Sequence, residues 1–338
     1  MRLKDKVIIV TGATAGIGGA IATACIREGA KVLVHGINES EGKVLIAKLG
    51  DNAKLFLADL FDPNSPTLIV ESAISHFGKI DGLVNNAALV ERSTLDAETP
   101  ESIERTLQVN LKAPFFLIQA AYEANVDWFL YTSSVGVYSP AEVFQEDSVW
   151  STFPSPNDRF AGWTKRMGEL QTEAYKIQYG FDRFSIVRPA NVYGPYDNFH
   201  LENSHVIPAL IRKFIAAKES NSPTVEVWGT GVATREFLYV GDTVKAIIDA
   251  MDCNETGPFN LGTGVETSIK ELNETIAKLV GYEGEIVWDT NRPDGQPKRF
   301  YDMSKFKETF GYVPNTTLED GLKETIDWYS NNKETARL

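Results

Sequence analysis

The chain has 338 residues, 43% hydrophobic and 23% charged, enough to bury one large or two modest cores. A net charge of −13 opposes nucleic acid or an anionic membrane as partner through the long-range field, but leaves room for a small anion held by local cations. Apolar runs such as Val7–Val10 and residues 32–34 are too short to span a bilayer, and MRLKDKVIIVTG lacks the apolar stretch of a signal peptide.

From the N-terminus, short β-branched runs alternate with helical stretches. VIIVTG, KVLVHG, KLFLADL, DGLVNNA, WFLYTSS and FSIVRP read as strands, with helices expected over 17–29, 39–49, 65–77, 101–125 and 160–179. Nearly continuous apolar strands alternating with helices predict an α/β fold, a Rossmann-type doubly wound parallel sheet covered on both faces. Farther on, SHVIPALIRKFIAAK and SIKELNETIAKLVG read as amphipathic helices, and TVEVWGTG, PFNLG and EIVWDT as strands. The expected division is a dinucleotide-binding domain over 1–190 with a returning segment at about 236–262. A smaller α/β lobe over 191–235 and 263–338 is expected to hold substrate, with a cleft between the two. Cys25 and Cys253 give neither a disulfide framework nor a metal-ligand spacing, which fits a reducing cytoplasm and no metal. In that setting the glycosylation-like tripeptides at Asn254, Asn273 and Asn315 are chance matches.

VIIVTGATAGIGGAI places Gly12, Gly16 and Gly18 between a buried strand and a helix that begins near Ile17. Glycines there permit a tight turn and let backbone N–H groups approach a pyrophosphate at the helix N-terminus. Asp59 and Leu60 end the third strand, where a carboxylate can take an adenine amino group, and Asn86 and Ala87 follow the fourth. The second strand ends in VHGIN, with neither an acid for a ribose diol nor an arginine for a 2′-phosphate. Because Ile37 cannot bind a phosphate, the reading is NAD or NADP with a lean to NAD.

With these motifs the chain resembles the short-chain dehydrogenase/reductase superfamily over essentially its whole length. TGATAGIG, NNAA and VNL (with Asn110) look like the single-domain branch, whereas FLYTSSVGVY onward looks like the extended branch acting on nucleotide-linked sugars. NVYGPYDNFHLENSHVIPALIRKF, VWGTGVATREFLYVGD, FNLGTGVETSIKEL and RPDGQPKRFYD resemble the GDP-fucose synthase group of epimerase/reductases. The resemblance implies a nucleotide-diphosphate sugar as partner, hydride transfer at a sugar ring carbon, and a homodimer pairing the helices over 101–125 and 160–179.

In this superfamily a Ser or Thr polarises the reacting oxygen, a tyrosine carries the proton, and a lysine four residues later lowers the tyrosine pKa and holds the nicotinamide ribose. The matching serine is Ser134 and the matching lysine is Lys165, but Ala161 stands where the tyrosine belongs. His205 in NSHVIP matches the histidine of the epimerising Cys/His pair, whereas Gly136 replaces the cysteine. Two proton-transfer groups are therefore missing, and double epimerisation at C3 and C5 is not expected. Tyr138 or a substrate hydroxyl could move the proton instead. Pro189 follows the cofactor side of the pattern. Asn191, Trp228, Arg235, Arg292 and Lys298 match nucleotide-sugar contacts, and Arg235, Lys213 and Lys298 are the candidate diphosphate cations. The expected activity is that of an NAD(P)-dependent nucleotide-sugar epimerase or oxidoreductase, with a GDP-sugar favoured. The alternative from a different class is a non-catalytic binder of NAD and a nucleotide sugar.

Overall fold

Each apolar run of the first half forms a strand in the computed structural model, which describes residues 1–89, 96, 98–156, 159–200, 204–253 and 255–336. The order is β1 (Val7–Val10), α1 (Gly16–Arg27), β2 (Lys31–Gly36), α2 (Glu39–Leu49), β3 (Ala53–Leu57), α3 (Ser65–Phe77) and β4 (Gly82–Asn85). Next come α4 (Pro100–Leu107), α5 (Ala113–Glu123), β5 (Trp128–Thr132), α6 (Arg159–Tyr179) and β6 (Phe184–Pro189). β1 and β4 are buried along their full length, because parallel strands covered on both faces have no wet side. These strands pair in parallel in the order β6-β5-β4-β1-β2-β3. The chain thus winds outward in both directions from the β1–β4 pair, whose carboxyl ends adjoin at the topological switch point.

Local sequence sets the helix ends. Asn38 caps α2 by accepting the N–H groups of Ser40 and Glu41, and Thr99 and Ser102 form a reciprocal capping box on α4. The single helix expected over 101–125 is corrected: a π-helical turn, Gln108–Lys112, separates α4 from α5. Pro114 has no N–H to offer the carbonyl four residues back, and the wider turn absorbs the mismatch. That turn carries Asn110, which donates to the Leu89 carbonyl at 2.8 Å and accepts the Leu89 N–H at 2.7 Å.

Contacts cluster into two units, residues 1–137, 158–188 and 244–259 in the first, and 138–157, 189–243 and 260–338 in the second. Relative to the sequence expectation, 138–157 falls in the second unit and the returning segment is 244–259. The first unit packs Ile9, Leu33, Leu83, Leu117 and Phe129 into its core, with Phe129 stacked on Phe181 at 5.3 Å and on Phe184 at 5.7 Å.

The later elements are β7 (Asn191–Tyr193), α7 (Val206–Glu219), β8 (Thr224–Trp228), β9 (Thr234–Arg235), β10 (Phe237–Tyr239) and α8 (Val240–Met251). They are followed by β11 (Phe259–Leu261), β12 (Thr267–Ser268), α9 (Ile269–Val280), β13 (Glu285–Asp289), α10 (Ser304–Phe310) and α11 (Leu318–Asn331). β11 lies beside β6 as the seventh strand of the central sheet, while β7–β10, β9–β12 and β8–β13 form two-stranded sheets. In the second unit Ile211 and Phe214 of α7 meet Leu272 and Ile276 of α9 and Leu322 of α11 in one core. Residues 138–157 join this unit through Asn260, which accepts the Tyr138 hydroxyl and donates to the carbonyls of Phe144 and Asp302. Asn254 lies outside the described residues. No helix of the described residues is long and apolar enough to cross a membrane, and none of their His, Cys, Asp and Glu side chains form a metal-binding group of three.

Candidate active site

The turn after β1 is built for close approach. Gly12 and Gly16 sit at φ +62° and +56°, in the left-handed region that side chains disfavour, and a Cβ on Gly18 would collide with the Gly12 carbonyl oxygen. Asn86 clamps this turn to the end of β4, its amide donating to the Thr11 carbonyl at 2.9 Å and the Gly12 carbonyl at 3.3 Å. Ala87 N–H donates to the Thr11 hydroxyl at 3.0 Å. No side chain caps α1, whose first turn holds Gly16, Ile17 and Gly18, so orphan N–H groups and the positive end of the helix dipole converge there.

His35 braces the turn from β2. Its Nε2 lies 3.0 Å from the Ala58 carbonyl and its Nδ1 is 3.5 Å from the Gly12 amide, an arrangement that suits the neutral ring protonated on Nε2. Burial pushes its pKa down to about 4, against smaller upward pulls from the Ala58 carbonyl and Asp59. Asp59 itself accepts the Phe61 N–H at 3.0 Å and pairs with Arg105 at 2.9 Å, while Leu60 is buried beside it.

Polar side chains also mark the ends of β4 and β5. Asn85 is buried with neither amide atom hydrogen-bonded, and the hydroxyl of Thr132 is likewise buried and unpartnered. Ser134 accepts the Gly136 N–H at 3.2 Å, which fixes its side chain at the strand end. Lys165 donates from Nζ to the Thr132 carbonyl at 2.8 Å and lies over the Tyr131 ring at 5.2 Å. Burial lowers its pKa to about 8, with Glu169 pulling the other way. Ala161, one helical turn earlier on α6, is exposed.

Beneath this strand end lies a buried charge cluster. Glu169 accepts two bonds from Arg188, at 2.9 and 2.7 Å, and a third from Ser133 at 2.5 Å. Both members of the ion pair are essentially inaccessible, with 0% and 1% of their side chains exposed. Arg166 donates from Nε to the Val137 carbonyl at 2.9 Å, tying α6 to the turn that follows Ser134. Sequence reasoning passed over His35, Thr132, Glu169 and Arg188, whereas NNAA had already marked Asn85 at the end of the fourth strand. The available signal was a polar residue inside an otherwise apolar strand, as in KVLVHG and FSIVRP.

In the second unit, Trp228 and Arg292 stack, the guanidinium carbon 4.9 Å from the indole centroid, and both are exposed. Arg292 also pairs with Asp289 at 3.6 Å. Arg235 donates to the Thr234 carbonyl at 2.7 Å, and the neighbouring Glu236 is buried, accepting the N–H groups of Tyr301, Thr263 and Gly264. Asn191 donates to the Glu236 carbonyl at 3.2 Å, and the Pro189 carbonyl accepts the Tyr301 hydroxyl at 3.2 Å. Lys298 pairs with Glu266 at 3.1 Å and Glu142 at 3.7 Å, and Lys213 donates to the Glu226 carbonyl on β8 at 2.7 Å. All three expected diphosphate cations thus have partners in the structure. His205 is the N-cap residue of α7, although its side chain does not cap the helix. The idea that Tyr138 replaces the missing phenol is corrected: it is buried, donates its hydroxyl hydrogen bond to the Asn260 side-chain carbonyl and stacks on Phe144 at 4.8 Å.

The first unit fits a dinucleotide. The uncapped α1 terminus suits a pyrophosphate, and the unsatisfied Asn85 amide offers a donor and an acceptor at the end of β4. Gly12, Gly16, Ile17 and Gly18 would hold the phosphates, and Lys165 and Ser134 would be the groups to orient a ribose and a reacting oxygen. A nicotinamide dinucleotide bound there would supply a hydride acceptor or donor.

Residues 8–262 match the family model described as the NAD dependent epimerase/dehydratase family. The chain is 41% identical over 235 residues to the probable GDP-L-fucose synthase 1 of Oryza sativa subsp. japonica, covering 68% of this chain and 71% of that one. A GDP-L-fucose synthetase from Naegleria fowleri, solved bound to NADP, superposes with a TM-score of 0.79 at 24% identity, covering 99% of this chain and 96% of its own. The UDP-N-acetylglucosamine 4-epimerase of Methanobrevibacter ruminantium M1, solved with UDP-N-acetylmuramic acid, gives 0.79 at 26% identity, covering 97% and 99%. With its glycine turn at the β1–β4 switch point and Ser134 and Lys165 at the β5 end, the chain belongs to the NAD dependent epimerase/dehydratase family.

Proposed function

We propose that this chain is an NAD(P)-dependent nucleotide-sugar epimerase or oxidoreductase, moving hydride at a ring carbon of a sugar carried on a nucleoside diphosphate. The observation that carries the reading is the β5 end, where Ser134 is fixed by Gly136 and Lys165 by Thr132 next to an uncapped phosphate-binding turn in the same sheet. The relatives named GDP-L-fucose synthase favour a GDP-sugar, and the exposed Trp228–Arg292 stack offers an aromatic and cationic surface for a base. Arg235, Lys298 and Asn191 are the proposed diphosphate and sugar contacts, and His205 a second proton carrier. Gly136 argues against double epimerisation.

NADP is proposed in place of NAD, towards which the sequence leaned. The solved relative carries NADP, and Ile37 and Asn38, which directly follow β2, supply no carboxylate for a ribose diol. A homodimer through α5 and α6 is proposed on the strength of exposed Phe115, Phe116, Met167 and Leu170.

The test incubates the purified protein, and its Ala161→Tyr variant, with NAD or NADP and GDP-, UDP- and dTDP-sugars. NMR follows the products and absorbance follows the reduced nicotinamide. Turnover by the natural protein supports the reading. Saturable binding of cofactor and sugar without turnover in either protein overturns it in favour of a non-catalytic binder, the outcome that Ala161 makes worth testing.

A further inference from the structure

Resting on that function, we propose that Lys165 is itself the proton carrier of this enzyme, taking over the role of the absent phenol rather than assisting one. Its amine makes one strong hydrogen bond, to a neutral acceptor, the Thr132 carbonyl at 2.8 Å. No carboxylate pairs with it among the described residues. Glu169, the acid one turn along α6, has its oxygens taken by Arg188 and Ser133. An amine held in this way can lose a proton and still donate one N–H to Thr132, leaving its lone pair for a substrate hydroxyl.

Apart from Ser134, which keeps the polarising role proposed above, the hydroxyls of this part of the first unit are committed or enclosed. Ser133 donates to Glu169, and Thr164 donates to the Phe160 carbonyl at 2.9 Å. The Tyr131 phenol is buried against Gly168 and pushed well above the usual tyrosine range by that burial. Ala161 contributes a methyl group at the position one turn before Lys165.

The charged and titratable groups that face the amine come from β5, α6, β6 and the π-helical turn. Tyr131 faces it from β5, and Arg166 and Glu169 flank it on α6. Arg188 on β6 lies behind Glu169, and Lys112 of the π-helical turn is paired with Glu104 at 2.6 Å. Burial brings the Lys165 pKa to about 8, so near neutrality both forms are populated.

In the oxidative direction the sugar O–H bond breaks and its proton becomes an N–H of the Lys165 ammonium. The electron pair of the adjacent C–H bond leaves as hydride to the oxidised nicotinamide, and a C=O bond forms. The reverse step returns the proton from the same nitrogen.

The experiment pairs a binding-independent titration with kinetics. Competitive amine labelling of the whole protein, read at the Lys165 peptide by mass spectrometry across pH 6–11, is expected to show a midpoint of about 8. Lys165→Arg keeps the cation and is expected to hold NADP within a few-fold while losing roughly 100-fold or more in turnover. Ala161→Tyr in the Lys165→Arg background is expected to restore part of that loss. A labelling midpoint at the ordinary lysine value, or a Lys165→Arg variant that turns over normally, overturns the proposal and leaves the enzyme reading intact. A midpoint of about 8 with no turnover of any nucleotide sugar by the natural protein overturns the enzyme reading, and the carrier role with it.

Discussion

In the first unit Glu169, Arg188 and His35 are almost wholly buried, whereas in the second Arg292 and Lys298 keep 56% and 31% of their side chains exposed. The buried groups are held in fixed multidentate arrangements, and Asn85 and Thr132 of the central sheet are left unsatisfied. The exposed cations sit in ordinary surface pairs with Asp289, Glu266 and Glu142. Under the proposed function, the contrast separates two ways of preparing for an anionic ligand. One organises a cradle before the ligand arrives; the other keeps cations on acidic partners that a diphosphate would have to displace.

The sharpest way to break the comparison is at the buried pair. Arg188→Ala leaves Glu169 as an uncompensated buried charge, with an expected loss of about 3–5 kcal/mol. Urea unfolding at neutral pH measures it. The paired change Glu169→Leu with Arg188→Met removes both charges and is expected to recover most of that loss. If the double variant is no more stable than Arg188→Ala, the cluster is not acting as a compensated pair.

How much of this could be read beforehand differs between the two regions for the same physical reason. β1 to β6 follow from continuous apolar runs, a local signal, and so does the glycine turn that ends β1. The break at Gln108–Lys112 was equally local, since Pro114 marks it. The placement of 138–157 was not local at all. It depends on Asn260 reaching Tyr138 and Phe144 more than 100 positions away in sequence. Lys298 shows the same limit, because a lysine in RPDGQPK reads as a free cation until Glu266 and Glu142 are found beside it.

The next effect is the pH dependence contributed by His35 in the first unit. His35 in the folded protein has a pKa of about 4, below the unfolded value of about 6.5. Between those values the unfolded chain binds the proton that the folded one refuses, so stability falls as pH drops from 6.5 towards 4. The share belonging to His35 is about 2 kcal/mol between pH 6.5 and pH 5. Denaturation at both pH values, for the natural protein and His35→Gln, isolates that share, and equal slopes would show that the imidazole is not the group responsible.

Asn85 tests whether unsatisfied burial is the cost of a preformed site. Asn85→Leu removes two buried polar atoms without hydrogen-bond partners and is expected to stabilise the cofactor-free protein by about 1 kcal/mol. NADP affinity, read by calorimetry, is expected to weaken by about tenfold, corresponding to roughly 1.4 kcal/mol of lost interaction. Stability gained with affinity unchanged would remove Asn85 from the cradle.

The smallest effect belongs to the exposed pairs. Glu266→Gln deletes one of the two acids holding Lys298, with little change expected in stability, under about 1 kcal/mol, because screened surface pairs contribute little. If Lys298 is a diphosphate cation, a GDP-sugar no longer has to displace that carboxylate, and its affinity should rise by up to about fivefold, the equivalent of roughly 1 kcal/mol. The gain should shrink as salt is raised from low to physiological ionic strength, since the added attraction is between exposed charges. Lys298→Met should reverse the sign and weaken binding. Should both variants bind the nucleotide sugar as the natural protein does, Lys298 is a surface lysine, and Arg235 remains as the cation of the second unit to test at that diphosphate.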